Sequence, residues 1–265
     1  MAFPFFYRTS RCRSGLLFAA CLLLTAVISS CKKNQPFAGI PATCQVFNAM
    51  DDGIILLAHW DTTRPDPFRF LRRLNNKANY SVTNNLYSTQ NSNQPLQLYA
   101  WPDTLSHQGP LVDTRLQLQE GGLYSLFISG TKTAPQYVLH KDEIPAFNQQ
   151  DSTTHIRFAN FSDGQTISVN LKGEATGSFI QSLPPKGFSD FKEMNARRSV
   201  IKYEFEIRDQ ANGDLITTYV ADKFNGQGGT TFTTRWYNRA NTLVLTGKQG
   251  GTGTNLQMVY LMNNR

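Results

Sequence analysis

Downstream of its first forty residues the chain alternates, with apolar side chains recurring at every second position. Tyr203, Phe205 and Ile207 alternate with Lys202, Glu204, Glu206 and Arg208, and Ile167, Val169 and Leu171 alternate with Thr166, Ser168, Asn170 and Lys172. Phe232, Thr234 and Trp236 repeat the pattern, as do Leu96, Leu98 and Ala100 and then Leu116 and Leu118. Period two with one apolar face is the mark of a half-buried antiparallel strand. Turn signals divide the runs: Asp52-Gly53, Gly121-Gly122, Asn212-Gly213-Asp214 and Gly226-Gln227-Gly228-Gly229. No long helical period interrupts them. The only helical candidates are short, at residues 67–74 and 189–195. The pattern predicts an all-β chain of two tandem antiparallel Ig-like β-sandwich domains.

Two domains are expected because the chain repeats itself. Phe47-Asn48-Ala49-Met50-Asp51-Asp52-Gly53 lines up with Phe158-Ala159-Asn160-Phe161-Ser162-Asp163-Gly164. Leu126-Phe127-Ile128-Ser129-Gly130-Thr131-Lys132 lines up with Leu243-Val244-Leu245-Thr246-Gly247-Lys248. Similar ends at one spacing indicate a duplicated unit. The boundaries read as domain 1 at 44–145, a linker at 146–152 and domain 2 at 153–265.

The first thirty residues have a different character. Arg8, Arg11 and Arg13 make a basic start, and residues 15–30 carry no charge. A basic segment, an apolar segment and small residues make an export signal. The apolar run falls short of the roughly 20 residues a spanning helix needs. Ile28-Ser29-Ser30-Cys31 resembles the lipobox of bacterial lipoproteins: an aliphatic residue, two small residues and a cysteine. The resemblance implies cleavage after Ser30 and thioether lipidation of Cys31, so that 1–30 is a signal peptide. A single acyl chain holds a protein to a bilayer only marginally, and a lipidated amino-terminal cysteine supplies two or three. Lysine at position 32, where an aspartate often marks inner-membrane retention in that family, implies the outer membrane. Residues 31–43, with Asn34, Pro36, Gly39 and Pro41 and no period, read as the lipidated cysteine and its tether.

Cleavage changes the composition. The formal charge of +7 falls to +4, because three arginines leave with the signal and no acid does. The remaining excess is scattered, so no nucleic-acid partner is expected. Of four cysteines, Cys12 and Cys21 leave and Cys31 is the lipid site, which leaves Cys44 without a disulfide partner. The mature chain must then be held by its hydrophobic cores.

Further motifs carry a second resemblance. The segment 158–164, followed by Ile167-Ser168-Val169-Asn170-Leu171-Lys172-Gly173, is similar to the opening of the domain-of-unknown-function family DUF4397, which reads (R/V)-F-x-N-x-S-x-D and then V-D-V-Y-V-N-G. Gly121-Gly122-Leu123-Tyr124-Ser125-Leu126 resembles that family's A-G-x-Y-x-(V/L) strand. Phe188-Ser189-Asp190-Phe191 and Tyr203-Glu204-Phe205-Glu206-Ile207 resemble its later segment. Domain 1 departs from the pattern, with Asn48 and Ala49 in swapped order. The resemblance implies an Ig-like cell-envelope module without catalytic residues.

Candidate chemistry is sparse. His59, His107, His140 and His155 are not spaced with one another, with cysteine or with carboxylates as a metal motif requires. No Gly-x-Ser-x-Gly elbow is present. Glu204 and Glu206 share a strand face with Lys202 and Arg208, which reads as a self-neutralising surface. Asp51-Asp52 and Asp163 invite calcium, but Asp-Gly turns account for them. Gly247–Gly253 with Lys248 reads as a hairpin loop. Residues 75–95 are rich in amides and hydroxyls, and with Trp101 they suit sugar stacking and hydroxyl bonding. Tyr80, Tyr87 and Trp101, with Trp60, are therefore the candidate ligand residues. The expectation is a non-enzymatic, lipid-anchored envelope protein, its tandem domains acting as spacer and interaction module for a protein or glycan. The alternative is a carbohydrate-binding accessory lipoprotein. No cofactor and no metal are expected.

Overall fold

The computed structural model describes residues 39–62, 71–78, 85–102, 109–147, 152–224 and 236–264. The first half contains β1 (Ala42–Asn48), β2 (Ile55–His59), β3 (Arg72–Leu74), β4 (Leu86–Thr89), β5 (Asn93–Trp101), β6 (Val112–Gln117), β7 (Leu123–Thr131) and β8 (Ala134–Lys141). The second contains β9 (Thr153–Ser162), β10 (Ile167–Leu171), β11 (Ile180–Leu183), β12 (Lys192–Asn195), β13 (Lys202–Asp209), β14 (Leu215–Asp222), β15 (Ala240–Gly247) and β16 (Met258–Asn263). A 3-10 turn, Gly253–Asn255, lies between the last two strands.

The strands make four four-stranded sheets, ordered β4-β1-β7-β8 and β3-β2-β5-β6, then β12-β9-β15-β16 and β11-β10-β13-β14. Adding eight to every strand number of the first pair gives the second pair, so the duplication holds pairing by pairing. It includes one feature that an antiparallel sandwich lacks. β1 runs parallel to β7, and β9 runs parallel to β15. The chain leaves β1 for the other sheet, returns for edge strand β4, crosses again through β5 and β6, and enters β7 at the end where β1 began.

Each half encloses one core. Cys44, Val46, Leu56, Leu98, Leu126 and Ile128 lie in the first, and Ile156, Phe158, Val169, Phe205, Ile207 and Leu245 in the second. A third apolar cluster lies between the halves: Phe47, Ala49, Phe127, Ala159, Phe161, Val244 and Met262, with Val138, Phe188 and Tyr260 against it. The two sheets containing β1 and β9 therefore bury both faces, one on their own core and one on each other. Residues Ile40–Arg265 form one compact unit. At roughly 1.5–3 kcal/mol per fully buried large apolar side chain, this junction is comparable to a small core.

Two local expectations are corrected. Residues 72–74 and 192–195 are strands β3 and β12, not helix. Both are short edge strands, and in β12 only Met194 turns inward, too little apolar pattern to mark a period. The amide- and hydroxyl-rich residues 75–95 are also partly strand: β4 pairs with β1, and β5 begins at Asn93.

Candidate functional site

The end of β1 and the end of β9 are built alike. The Asn48 amide nitrogen donates to the Ile54 and Leu74 carbonyls, its amide oxygen accepts from the Met50 N–H, and its carbonyl accepts from the Lys77 N–H. The Asn160 amide donates to Gln165 and Leu183, its oxygen accepts from Ser162, and its carbonyl accepts from the Lys186 N–H. Lys77 and Lys186 both have positive φ, 46° and 59°. Three residues after each asparagine, the N–H of Asp51 or Asp163 donates to Gly130 or Gly247 at 2.9 Å. Asn48 is thus the counterpart of Asn160, and Phe47 that of Ala159. The repeat matched on phenylalanine is off by one residue at this point, and the swapped order of Asn48 and Ala49 disappears.

Both lysines reach into the other half. The Lys77 ammonium donates to the Thr254 carbonyl in the β15–β16 loop, and the Lys186 ammonium donates to the Gln136 side-chain oxygen just past the β7–β8 turn. The Lys77 ammonium also lies 4.0 Å from the Asp51 carboxylate. Burial pushes Asp51 up from the ordinary carboxylate value; Lys77 opposes the rise, and Asp163 and Asp52 add to it. Burial likewise pulls Lys77 down, against Asp51. The two Asp-Gly turns that the sequence presents separately therefore meet at one pole.

Between them opens a cleft of about 440 Å³. Asp51, Ser129, Gln136, Phe161, Asp163 and Lys186 are among its lining residues. The cleft lies roughly 30 Å along β1 from the Ile40 end, at about 3.3 Å per residue. Among the described residues no three His, Cys, Asp or Glu side chains are grouped to hold a metal ion.

The opposite end of the junction is polar. Arg157 of β9 donates to Asp142 at 2.5 Å and to Thr242 at 2.8 Å. Ser125 donates to Asp142 at 2.6 Å, and the Asn264 amide donates to Ser125 and Asp142. Burial pulls the Arg157 guanidinium down and Asp142 pulls it back up. Between the two ends lies an aromatic stack: Phe127 on Phe161 at 4.5 Å, Phe188 tilted on Phe127 at 5.2 Å, and His140 stacked on Phe188 at 4.1 Å.

The residues proposed from sequence lie elsewhere. Ile28, Ser29, Ser30, Cys31, Tyr80 and His107 fall outside the described residues. Tyr87, on β4 opposite Cys44, lies flat on Trp60 with centroids 4.2 Å apart. Trp101, opposite Ile55, is 36% exposed, and the Arg73 guanidinium covers its ring at 4.3 Å. Trp60 and Trp101 lie at opposite ends of the β2–β5 ladder, on the order of 15 Å apart, so the structure does not bring Tyr87 and Trp101 together. Cys44 is fully buried, and burial pushes its thiol far above the usual range. Glu204 accepts from Lys172 at 2.7 Å and Glu206 from Arg208 at 2.9 Å, the neutralised face expected of β13.

No protein-family profile matches the chain, and no curated protein matches it. A solved structure of a candidate adhesin from Bacteroides ovatus aligns with 88% of this chain and 97% of its own, at 14% identity and a TM-score of 0.23. The asparagine device and the buried Arg157–Asp142 pair were missed at the sequence level. Asn48 and Asn160 each stand three residues before an aspartate, a signal that appears once the asparagines, not the phenylalanines, are aligned.

Proposed function

We propose that this chain is a non-enzymatic, lipid-anchored protein of the bacterial cell envelope, held at the outer membrane through Cys31. Its two β-sandwich halves act as one stiff spacer and interaction module. The observation that carries this reading is the doubly buried junction. Phe47, Phe127, Ala159, Phe161, Val244 and Met262 leave no sheet face between the halves for solvent, and a spacer needs that stiffness. The lipobox-like residues 28–31 supply the anchor. The halves correspond to Ig-like domains at 44–145 and 153–265, and the likeness of 158–164 to DUF4397 openings agrees with an envelope module.

Labelling with radioactive palmitate during expression tests the anchor. The wild type is expected to take up label and to fractionate with outer membranes, and Cys31→Ala to take up none and to keep its signal segment. Label retained by Cys31→Ala, or a processed wild type without label, overturns the reading.

A further inference from the structure

The duplication creates two equivalent sites at the pole beyond Asn48 and Asn160, and the chain fills one of them itself. Between Thr246 and Met258 the β15–β16 loop has eleven residues, 247–257, whereas six residues, 130–135, lie between their counterparts Ser129 and Gln136. The longer loop lays Thr254 on the first half. A Cβ built on Gly53 would meet the Thr254 methyl at 2.9 Å. The Thr254 hydroxyl donates to the Asp51 carbonyl at 3.2 Å, and the Thr254 carbonyl accepts from the Lys77 ammonium. At the equivalent site of the second half the short β7–β8 turn does not reach, and nothing lies within 4 Å of a Cβ built on Gly164.

We propose that the open cleft binds an uncharged turn of a partner protein carrying threonine or serine, in the way the β15–β16 loop occupies its twin. The filled site is the template. Gly164 directly follows Asp163 whereas Gly53 stands two residues after Asp51, so the first turn is one residue longer. Both glycines nevertheless have positive φ, 77° and 72°, and Gly164 presents an open surface like the one the Thr254 methyl covers on Gly53. The Asp163 carbonyl stands where the Asp51 carbonyl accepts a hydroxyl. The Lys186 ammonium stands where Lys77 donates to a carbonyl, and its present partner, Gln136, is an exposed amide that can be exchanged for another acceptor. Phe161, Pro185 and Ala134 add apolar wall. Lysines balance the carboxylates: Lys186 lines the cleft with Asp163, and Lys77 lies 4.0 Å from Asp51. An uncharged segment suits such a site better than a cation. This inference rests on the interaction-module reading and names the partner's chemistry.

The probe is the chain's own plug, the capped peptide Gly-Gly-Thr-Gly-Thr-Asn-Leu of residues 250–256. It is titrated into the full-length protein in detergent and followed by saturation-transfer NMR. A free peptide must be ordered on binding, so a dissociation constant on the order of 1 mM is expected. Replacing the peptide's second threonine by alanine weakens binding about fivefold, and Lys186→Met weakens it by a similar factor. Ala134→Trp, at an exposed lining position, abolishes it, and a thermal melt shows that each variant is folded. No saturation transfer from the wild type at about 10 mM peptide overturns the proposal. Binding indifferent to both Lys186→Met and Ala134→Trp also overturns it, as does a cleft that takes monosaccharides or calcium but not the peptide. Palmitate labelling at Cys31 is unaffected by any of these outcomes, so the two readings fail separately.

Discussion

Arg157, on the first strand of the second half, donates to the Asp142 carboxylate of the first half at 2.5 Å, and the two side chains are 2% and 4% exposed. Asp142 also accepts from Ser125 and Asn264, so each of its oxygens has a donor. The duplication does not repeat this pair. By the asparagine alignment the counterpart of Arg157 is Gln45, and by their strand-end hydrogen bonds Asp142 and Asn264 are counterparts. The charge is confined to one side of an otherwise matched junction.

Removing one partner leaves the other buried and unbalanced. Arg157→Met is expected to cost about 3–5 kcal/mol in urea unfolding, and Asp142→Leu a similar amount. The double variant Arg157→Met/Asp142→Leu is expected to recover part of the sum, because no lone charge remains. Additive losses in the double variant would show that the pair is not coupled.

Stiffness follows from the third cluster. Phe127 packs beside Phe47 in its own sheet and touches Phe161 and Phe188 across the junction. Phe127→Ala is expected to cost about 3–5 kcal/mol and to destabilise both halves together. Trp60 and Tyr87 report on the first half, and Trp236 stacked on Phe224 reports on the second. Their fluorescence changes, separated by single Trp→Phe variants, should coincide in the wild type. Two separated transitions in the wild type would show that the halves unfold independently.

The sequence made some of this legible and hid the rest for one physical reason. Sheets with a solvated face alternate, so β13 with Phe205 and Ile207 inward and Lys202, Glu204 and Glu206 outward could be recognised. Sheets buried on both faces do not alternate: β15 is buried from Ala240 to Gly247, and β9 from Thr154 to Ser162. Nothing in Ala240–Gly247 says which face meets its own core and which meets the other half. The docking of the halves, the cleft it creates and the Arg157–Asp142 pair were therefore invisible, although Asp51 and Asp163 had each been singled out. Composition does not distinguish an aromatic ring that meets a ligand from one that meets another ring, and Trp60 and Tyr87 stack on each other.

On β13, Glu204 is held at about 2 by hydrogen bonds from Lys172 and Lys202. Its folded value lies below the unfolded one, so its contribution is present above the ordinary glutamate range and is lost as pH falls toward 2. Carboxylate NMR should find Glu204 titrating near 2. Lys172→Ala should move that midpoint upward, and added salt should do the same more weakly. A midpoint at the ordinary glutamate value would mean that the pairs do not persist in solution.

His140 gives the junction a pH dependence of known sign. It stacks on Phe188 of the other half, and its pKa is lowered from 6.5 first by burial and then by Arg157, with Asp142 and Glu143 opposing. His155 is lowered by burial, with Glu193 opposing. A folded pKa below the unfolded value means that the unfolded chain binds more protons between the two. The stabilisation is therefore full above about 6.5 and declines as pH falls toward the folded values. Asp51 is raised, chiefly by burial, and has the opposite sign. Thermal midpoints measured between about pH 7.5 and 5 should fall for the wild type and fall less for His140→Phe, which keeps the ring stack without the titration. Equal declines in the two proteins would remove His140 as the source.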